Sequence, residues 1–186
     1  MSDYLEQQFE SQLDIMSAIS EMKREHNELI QTRQTNLKYQ QSRLAFSNGR
    51  KVSDVKKATA LVRKMKAITP EGLSQCAREM ETLNLTLYIS EIVLAILEIK
   101  FKATDVPAIV KICSLLHQRY EDFTAPLLAG MRETLVGTSS NAIDNDDKKK
   151  RIQIRLIIEL FQVGLFTEEE IFIHLLKNLT GKPLKR

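Results

Sequence analysis

The sequence has few of the residues that break regular helices. Its 186 residues include only six glycines and four prolines, too few for the many tight turns of an all-β sandwich or barrel. Apolar residues make up 43% of the chain, which is enough for the core of one domain of this length. The composition therefore favours a single domain built from helices.

Cysteine is also scarce. Cys76 and Cys113 are the two cysteines, and they have neither the spacing of a metal site nor a secretory context. We expect two reduced thiols in an intracellular compartment.

Long hydrophobic runs and a strong charge of one sign are missing as well. No stretch approaches the roughly 18 apolar residues of a membrane span, and the chain does not start with a basic segment followed by an apolar run. With 27 basic and 24 acidic residues, the net charge of +3 is too balanced to indicate a nucleic-acid-binding protein on its own. We expect no membrane association.

Apolar residues at helical spacing fill most of the chain. The pattern predicts a long N-terminal helix with a stripe of Leu5, Phe9, Leu13 and Met16, and a polar second half that projects or frays. It predicts a helix capped by Ser53, a second that starts at Pro70, and a centrally buried one from Leu85 to Lys100. Further helices start near Pro107 and Pro126. The polar segment Val136 to Lys150 is predicted to be a mobile loop.

The segment RLIIELFQVGLFTEEE, residues 155–170, predicts a tight joint between two helices. Leu156, Leu160 and Val163 share one helix face, and Gly164 can adopt the left-handed conformation that ends a helix. Thr167 and Glu170 have the spacing of a capping box for the next helix. Two helices joined this closely are antiparallel, and repeated pairs form α-solenoids that bind partners.

This joint also carries a family resemblance. Together with KKATALVRKMKAIT at residues 56–69 and CSLLHQRYEDF at residues 113–123, it resembles the first middle-of-initiation-factor domain of the scaffold family of nonsense-mediated mRNA decay. The similarity spans about Val52 to Leu179 and recurs along the chain. It implies an all-α, HEAT-like domain without catalysis, one of three in a parent protein that bridges the decay helicase and an exon-junction partner. It also implies a cytoplasmic location, with perinuclear as a narrower option.

The predicted organisation is an N-terminal helical extension at residues 1–48 and a HEAT-like domain at residues 49–186. We expect the second unit to be truncated at its C-terminus and the chain to be a monomer. The final helix, with Ile171, Phe172, Leu175, Leu176 and Leu179, then needs cover. We expect it either to be unusually exposed or to lie under the apolar stripe of the N-terminal helix.

Two basic clusters are the candidate binding residues. One lies in the predicted helix after Ser53 and the other follows the polar loop. Their members are Lys56, Lys57, Arg63, Lys64 and Lys66, then Lys148, Lys149, Lys150, Arg151 and Arg155. Each cluster is either a solvated helix face or a patch for RNA backbone or an acidic partner. Only Tyr39 and Phe46 lie near the first cluster, so no aromatic stacking platform for bases is predicted.

No catalytic, cofactor or metal site is predicted. His26, His117 and His174 lie in different helices without metal-ligand spacing around them, and His117 is expected to be buried and hydrogen-bonded at a helix joint. No phosphate-binding glycine motif occurs. Ser139 and Ser140 remain candidate modification sites in the polar loop.

Two other functions stay open. One is a scaffold of the translation-initiation type that docks a DEAD-box helicase. The other is a weak, non-specific RNA-binding module. Pull-down with the helicase and a salt titration would distinguish them from a decay scaffold.

Overall fold

A computed structural model describes residues 2–42, 54–66, 70–99, 101–137, 145–167, 169 and 172–173. These residues form seven α-helices and three short 3-10 turns, with no strand among them. The helices are α1 (Ser2–Ser42), α2 (Val55–Lys66), α3 (Pro70–Thr82), α4 (Ile89–Glu98), α5 (Val106–Arg119), α6 (Thr124–Gly137) and α7 (Asn145–Gln162). The predicted all-α fold is confirmed.

Helices α2 to α7 are arranged in two layers. In one layer α4 packs between α2 and α6, and in the other α5 packs between α3 and α7. The layers are joined where α2 contacts α3 and α6 contacts α7. This alternation is the stacking of antiparallel helix pairs that the sequence predicts. Helix α1 lies outside both layers and packs on α5.

The predicted helix starts agree with the structure, with one exception at α2. Pro70 is the first residue of α3, and Pro107 lies in the first turn of α5. The cap of α2 is Asp54, whose carboxylate accepts the amide of Lys57 at 3.1 Å. Ser53, the predicted cap, lies outside the described residues. An aspartate in this position also interacts favourably with the helix dipole.

Two predictions about helices are wrong. The predicted loop from Val136 to Lys150 is wrong at both ends, because α6 reaches Gly137 and α7 begins at Asn145. Ser139 and Ser140 lie outside the described residues. The predicted central helix from Leu85 is also not buried on every side, since Leu87 is 82% and Leu94 55% exposed. The turn of 3-10 helix at Thr86–Tyr88 separates Leu85 from α4 and leaves one side of that segment in solvent.

Buried side chains hold the ends of adjacent pairs together. The Tyr120 hydroxyl accepts the Leu85 amide at 3.0 Å, and Arg119 Nη1 donates to the Met80 carbonyl at 2.7 Å. His117 is buried, and its Nδ1 is 2.6 Å from the Thr124 hydroxyl, which confirms its predicted place at a joint. The bonds of Tyr120 and Arg119 satisfy backbone groups that turns between helices would otherwise leave unpaired.

Within the described ranges, no helix is long and apolar enough to cross a membrane.

Candidate interaction surfaces

Helix α2 presents the first basic cluster on one exposed face. Ala58, Leu61 and Met65 are buried at helical spacing, so the other side of α2 faces solvent. Lys56, Lys57, Arg63 and Lys64 are all exposed there. They form two rows, because residues seven apart lie one above the other on a helix. The side chain of Lys66 lies outside the described part.

Two of these four cations already have acidic partners. Lys57 Nζ is 3.7 Å from Asp54 Oδ2, and Lys64 Nζ is 2.7 Å from Glu79 Oε1 on α3. The hydrogen bond to Glu79 raises the pKa of Lys64. Among the described side chains, no carboxylate is paired with Lys56 or Arg63. The row formed by Lys56 and Arg63 therefore has the most positive charge available for a partner, and we call it the available row of α2.

The second basic cluster lies in the first three turns of α7. Arg151 and Arg155 are exposed, and Arg155 Nε is 2.7 Å from Glu159 Oε1. Lys150 is half-buried and already has an interaction within the protein. The side chains of Lys148 and Lys149 lie outside the described part.

The structure does not merge the two clusters into one patch. Helix α2 packs on α3 and α4, whereas α7 packs on α5 and α6. The clusters thus lie at opposite ends of the stack and in different layers. The described side chains of the two clusters therefore form two separate surfaces.

A buried polar contact attaches α1 to this stack. Asn36 is 0% exposed, and its Nδ2 donates to the Ser114 hydroxyl at 3.2 Å and the Val163 carbonyl at 2.8 Å. Its Oδ1 accepts a hydrogen bond from Gln118 Nε2 at 2.8 Å. One side chain therefore links α1 to α5 and to the end of α7. Asn36 was missed in the sequence because it stands in a polar stretch that resembles a solvated face.

The end of α7 explains why α1 binds there. Gly164 has a φ of 74°, and the amides of Gly164 and Leu165 donate to the carbonyls of Phe161 and Leu160. These are the two bonds of a Schellman motif, so the predicted glycine stop is confirmed. Arg33 Nη1 of α1 donates to the carbonyls of Phe161 and Gln162 at 3.2 and 3.0 Å. The guanidinium also compensates the negative end of the helix dipole.

The predicted roles of the two halves of α1 are reversed. The polar second half, expected to project or fray, packs on the stack through Arg33 and Asn36. The first half does not cover the stack, because Leu13 is 51% and Met16 68% exposed. The side chains of Leu5 and Phe9 lie outside the described part. Arg33, Asn36 and Leu37 of the second half cover the end of α7. Most of the predicted final helix lies outside the described residues, so its cover stays a prediction.

A small cavity, a buried cysteine and the histidines are the features of the described part that bear on catalysis. A cavity between α4, α6 and α7 has a volume of about 20 Å³, far below the roughly 300 Å³ that a small-molecule ligand needs. Within the same residues, no cluster of His, Cys, Asp and Glu could hold a metal ion. Burial raises the pKa of Cys113 from 9.0 to about 12, so its thiol stays protonated and unreactive. His26 is exposed on α1, and His174 is outside the described part.

Stacked antiparallel helices with charged and apolar outer faces define the chain as a helical-repeat domain of the kind that binds other macromolecules. A comparison with known families identifies this domain more narrowly. The chain belongs to the MIF4G domain family, which it matches over residues 55–185.

Several relatives are regulators of nonsense-mediated decay. The chain is 34% identical to the regulator of nonsense transcripts UPF2 of Arabidopsis thaliana over 90% of its length. It is 38% identical over 68% of its length to the human regulator of nonsense transcripts 2. It spans only 15% and 10% of these two proteins.

A solved structure agrees with this assignment. The first MIF4G domain of the human nonsense-mediated decay factor UPF2 superposes with a TM-score of 0.74 at 33% identity. The match covers 84% of this chain and 51% of the solved chain.

Proposed function

We propose that this chain is a non-catalytic scaffold domain of a nonsense-mediated mRNA decay factor. The observation that carries the proposal is the 34% identity to a regulator of nonsense transcripts over 90% of the chain. The architecture supports it, because stacked helices provide long outer surfaces for partners and the described part has a cavity far too small for a substrate.

The resemblance extends the proposal to the setting in which the domain acts. It acts as a monomer in the cytoplasm, within a parent protein that bridges the decay helicase and the exon-junction partner. Its own contribution is a rigid stack of helices with two separate basic surfaces.

The available row of α2 is proposed to bind an acidic protein segment. Lys56 and Arg63 are two helical turns apart, about 10 Å along the axis, which suits two carboxylates on a short peptide. RNA is the weaker candidate for two reasons. The basic clusters lie at opposite ends of the stack, so they give no continuous track for a phosphate backbone, and Lys57 and Lys64 are engaged with Asp54 and Glu79.

The scaffold proposal can be tested with a chimera. The matched region of the human relative is replaced by this chain, and the purified chimera is probed with antibodies for the decay helicase, the exon-junction partner and the DEAD-box helicase of initiation. We expect the two decay proteins to be recovered as with the native protein. Recovery of the initiation helicase in their place would support the translation-type scaffold and refute the proposal.

The basic surface needs its own test. In the same chimera, Lys56→Glu with Arg63→Glu should reduce recovery of at least one decay protein several-fold. The matched control reverses Arg78 and Lys111, two exposed cations on α3 and α5, and should have no effect. Binding of the chain to single-stranded RNA is measured in parallel across salt concentrations. A steep salt slope that the α2 variant flattens would show that RNA is the ligand. Equal recovery for both variants would exclude this surface.

A further inference from the structure

The outer face of α4 exposes two leucines in one row. Leu87, in the 3-10 turn that precedes α4, is 82% exposed, and Leu94 in the helix itself is 55% exposed. Their spacing of seven residues places both side chains on one side of the segment, about 10 Å apart along the helix axis. The core of the stack uses the opposite side of α4, where the buried residues are Ile89, Ile92, Val93, Ala95 and Ile96.

A groove runs beside these leucines, between α4 and α6. The two helices approach closely, because a Cβ added at Gly130 of α6 would collide with Leu97 of α4. Residues three, four or seven positions from Leu97 or Gly130 lie on the sides of the two helices that meet there. The exposed residues on these two sides, together with Leu87, line what we call the α4–α6 groove: Leu87, Ser90, Leu94, Pro126, Ala129 and Glu133.

Small side chains keep this groove open. Gly130 has no side chain, and Ser90 and Ala129 are among the smallest residues on the two facing sides. The leucines of α4 therefore form one wall of a shallow depression instead of being covered by α6. An apolar wall beside a depression provides the contact area that an isolated exposed leucine does not.

The rims of the groove are acidic. Residues 84–99 and 120–137, which include α4 and α6, contain five acidic residues and one basic residue, Arg132. Arg132 is half-buried and already has an interaction within the protein. Glu91 follows Leu87 by four residues on α4, and Glu133 lies across the groove on α6. Both carboxylates are exposed, and among the described side chains no cation is paired with either.

This charge selects the kind of occupant. Carboxylates on both rims repel an acidic protein segment, a nucleic-acid backbone and an anionic membrane surface. A segment with apolar side chains flanked by Lys or Arg complements both the leucine wall and the rims. The available row of α2 selects the opposite charge, so the two surfaces do not compete for one partner.

The spacing of the leucines selects a helix. Two residues seven positions apart on a partner helix are also about 10 Å apart and share one face. In an extended segment, about 10 Å separates residues three positions apart, and these point to opposite faces. A helix laid in an apolar groove with anchors at i, i+4 and i+7 is a recurring mode of recognition.

We propose that the α4–α6 groove is the docking site for a basic amphipathic helix of a partner protein. Its apolar face contacts Leu87 and Leu94, and its Lys or Arg side chains reach Glu91 and Glu133 on the two rims. The inference goes beyond the proposed function, because it assigns a second surface and a second partner chemistry to the domain.

Fluorescence anisotropy with purified residues 1–186 and a labelled synthetic helix tests this proposal. The probe is an alanine-based peptide of about 15 residues with a covalent side-chain cross-link, because helices of this length are marginal in water. It carries leucines at i, i+4 and i+7, flanked by lysines. The matched peptide has glutamates in place of the lysines. We expect the lysine peptide to bind at least about tenfold more tightly than the glutamate peptide.

Variants of the chain locate the binding. Leu87→Ser with Leu94→Ser removes the apolar wall and should weaken binding of the lysine peptide about tenfold or more. Both leucines are exposed, so circular dichroism should show an unchanged fold. The matched controls are Met22→Ser on α1 and Ile158→Ser on α7, which replace other exposed apolar residues and should leave affinity unchanged. Loss of binding in either control, with the leucine variant unaffected, would overturn the proposal.

Charge reversal of the rims gives a second readout. Glu91→Lys with Glu133→Lys should reverse the preference, so that the glutamate peptide binds more tightly. Equal affinity of the native chain for both peptides, or a lysine preference that the reversed chain keeps, would refute the assignment. Self-association of the native chain in sedimentation, abolished by the leucine variant, would make a second copy the occupant and also refute it. The assay contains no decay protein, so its failure is distinct from a failure of the proposed function.

Discussion

Replacing Asn36 by alanine should detach α1 from the stack. The change removes three hydrogen bonds and leaves the buried Val163 carbonyl, the buried Ser114 hydroxyl and Nε2 of the half-buried Gln118 without that partner. Each stranded buried group costs about 1–3 kcal/mol, and alanine recovers about 0.5 kcal/mol through its better helix propensity. Counting the two fully buried groups, we expect a net loss of about 2–5 kcal/mol in the free energy of unfolding.

Urea denaturation followed by far-UV circular dichroism measures the global loss, and hydrogen exchange of the amides of residues 33–39 measures local detachment. Asn27→Ala is the matched control, because Asn27 is exposed on the same helix, and it should be neutral or slightly stabilising. An Asn36→Ala variant within about 0.5 kcal/mol of the wild type, with unchanged exchange in α1, would refute the contribution assigned to this contact.

Three further predictions concern the joint, a buried thiol and the basic face. Gly164→Ala should cost about 1–2 kcal/mol, because its φ of 74° is unfavourable for a residue with a Cβ; Gly164→Asn should cost less, and urea midpoints compare them. Burial raises the pKa of the Cys113 thiol in the folded state from 9.0 to about 12. The stability that the buried neutral thiol contributes is therefore complete below pH 9 and is lost as pH rises toward 12. By pH 10 the free energy of unfolding should be lower by about 1.4 kcal/mol. This pH dependence should be absent in Cys113→Ala. Lys56→Glu with Arg63→Glu should change the unfolding free energy by less than about 0.5 kcal/mol, as thermal melts will show.

The helices and the main joint could be predicted from sequence because their signals are local. Gly164 after a buried helical stripe, and Pro70 at a helix start, depend only on neighbouring residues. The early start of α7 was missed because Asn145 to Lys150 contains no apolar residue. Its acidic residues Asp146 and Asp147 suit a helix N-terminus, and that signal was available.

The site at α1 could not be predicted by the same reasoning. A polar stretch with Arg33 and Asn36 resembles a solvated helix, and only the tertiary fold brings the end of α7 to it. The spacing from Ile15 through Ile19, Met22 and Leu29 was the available clue, because it places these apolar residues on one helix face with Arg33 and Asn36. Six of the ten predicted basic residues are exposed, and their role in binding stays a prediction. The division of the two clusters between opposite ends of the stack required the packing of α2 and α7.

The central claim is that this chain acts as a scaffold domain in nonsense-mediated decay. The most direct test is the half-life of a reporter mRNA with a premature stop codon, in human cells where the native relative is replaced by the chimera that carries this chain. The account predicts a half-life as short as with the native protein, and a long half-life when the region is deleted. A folded chimera that binds the decay proteins but leaves the reporter as stable as the deletion does would contradict it.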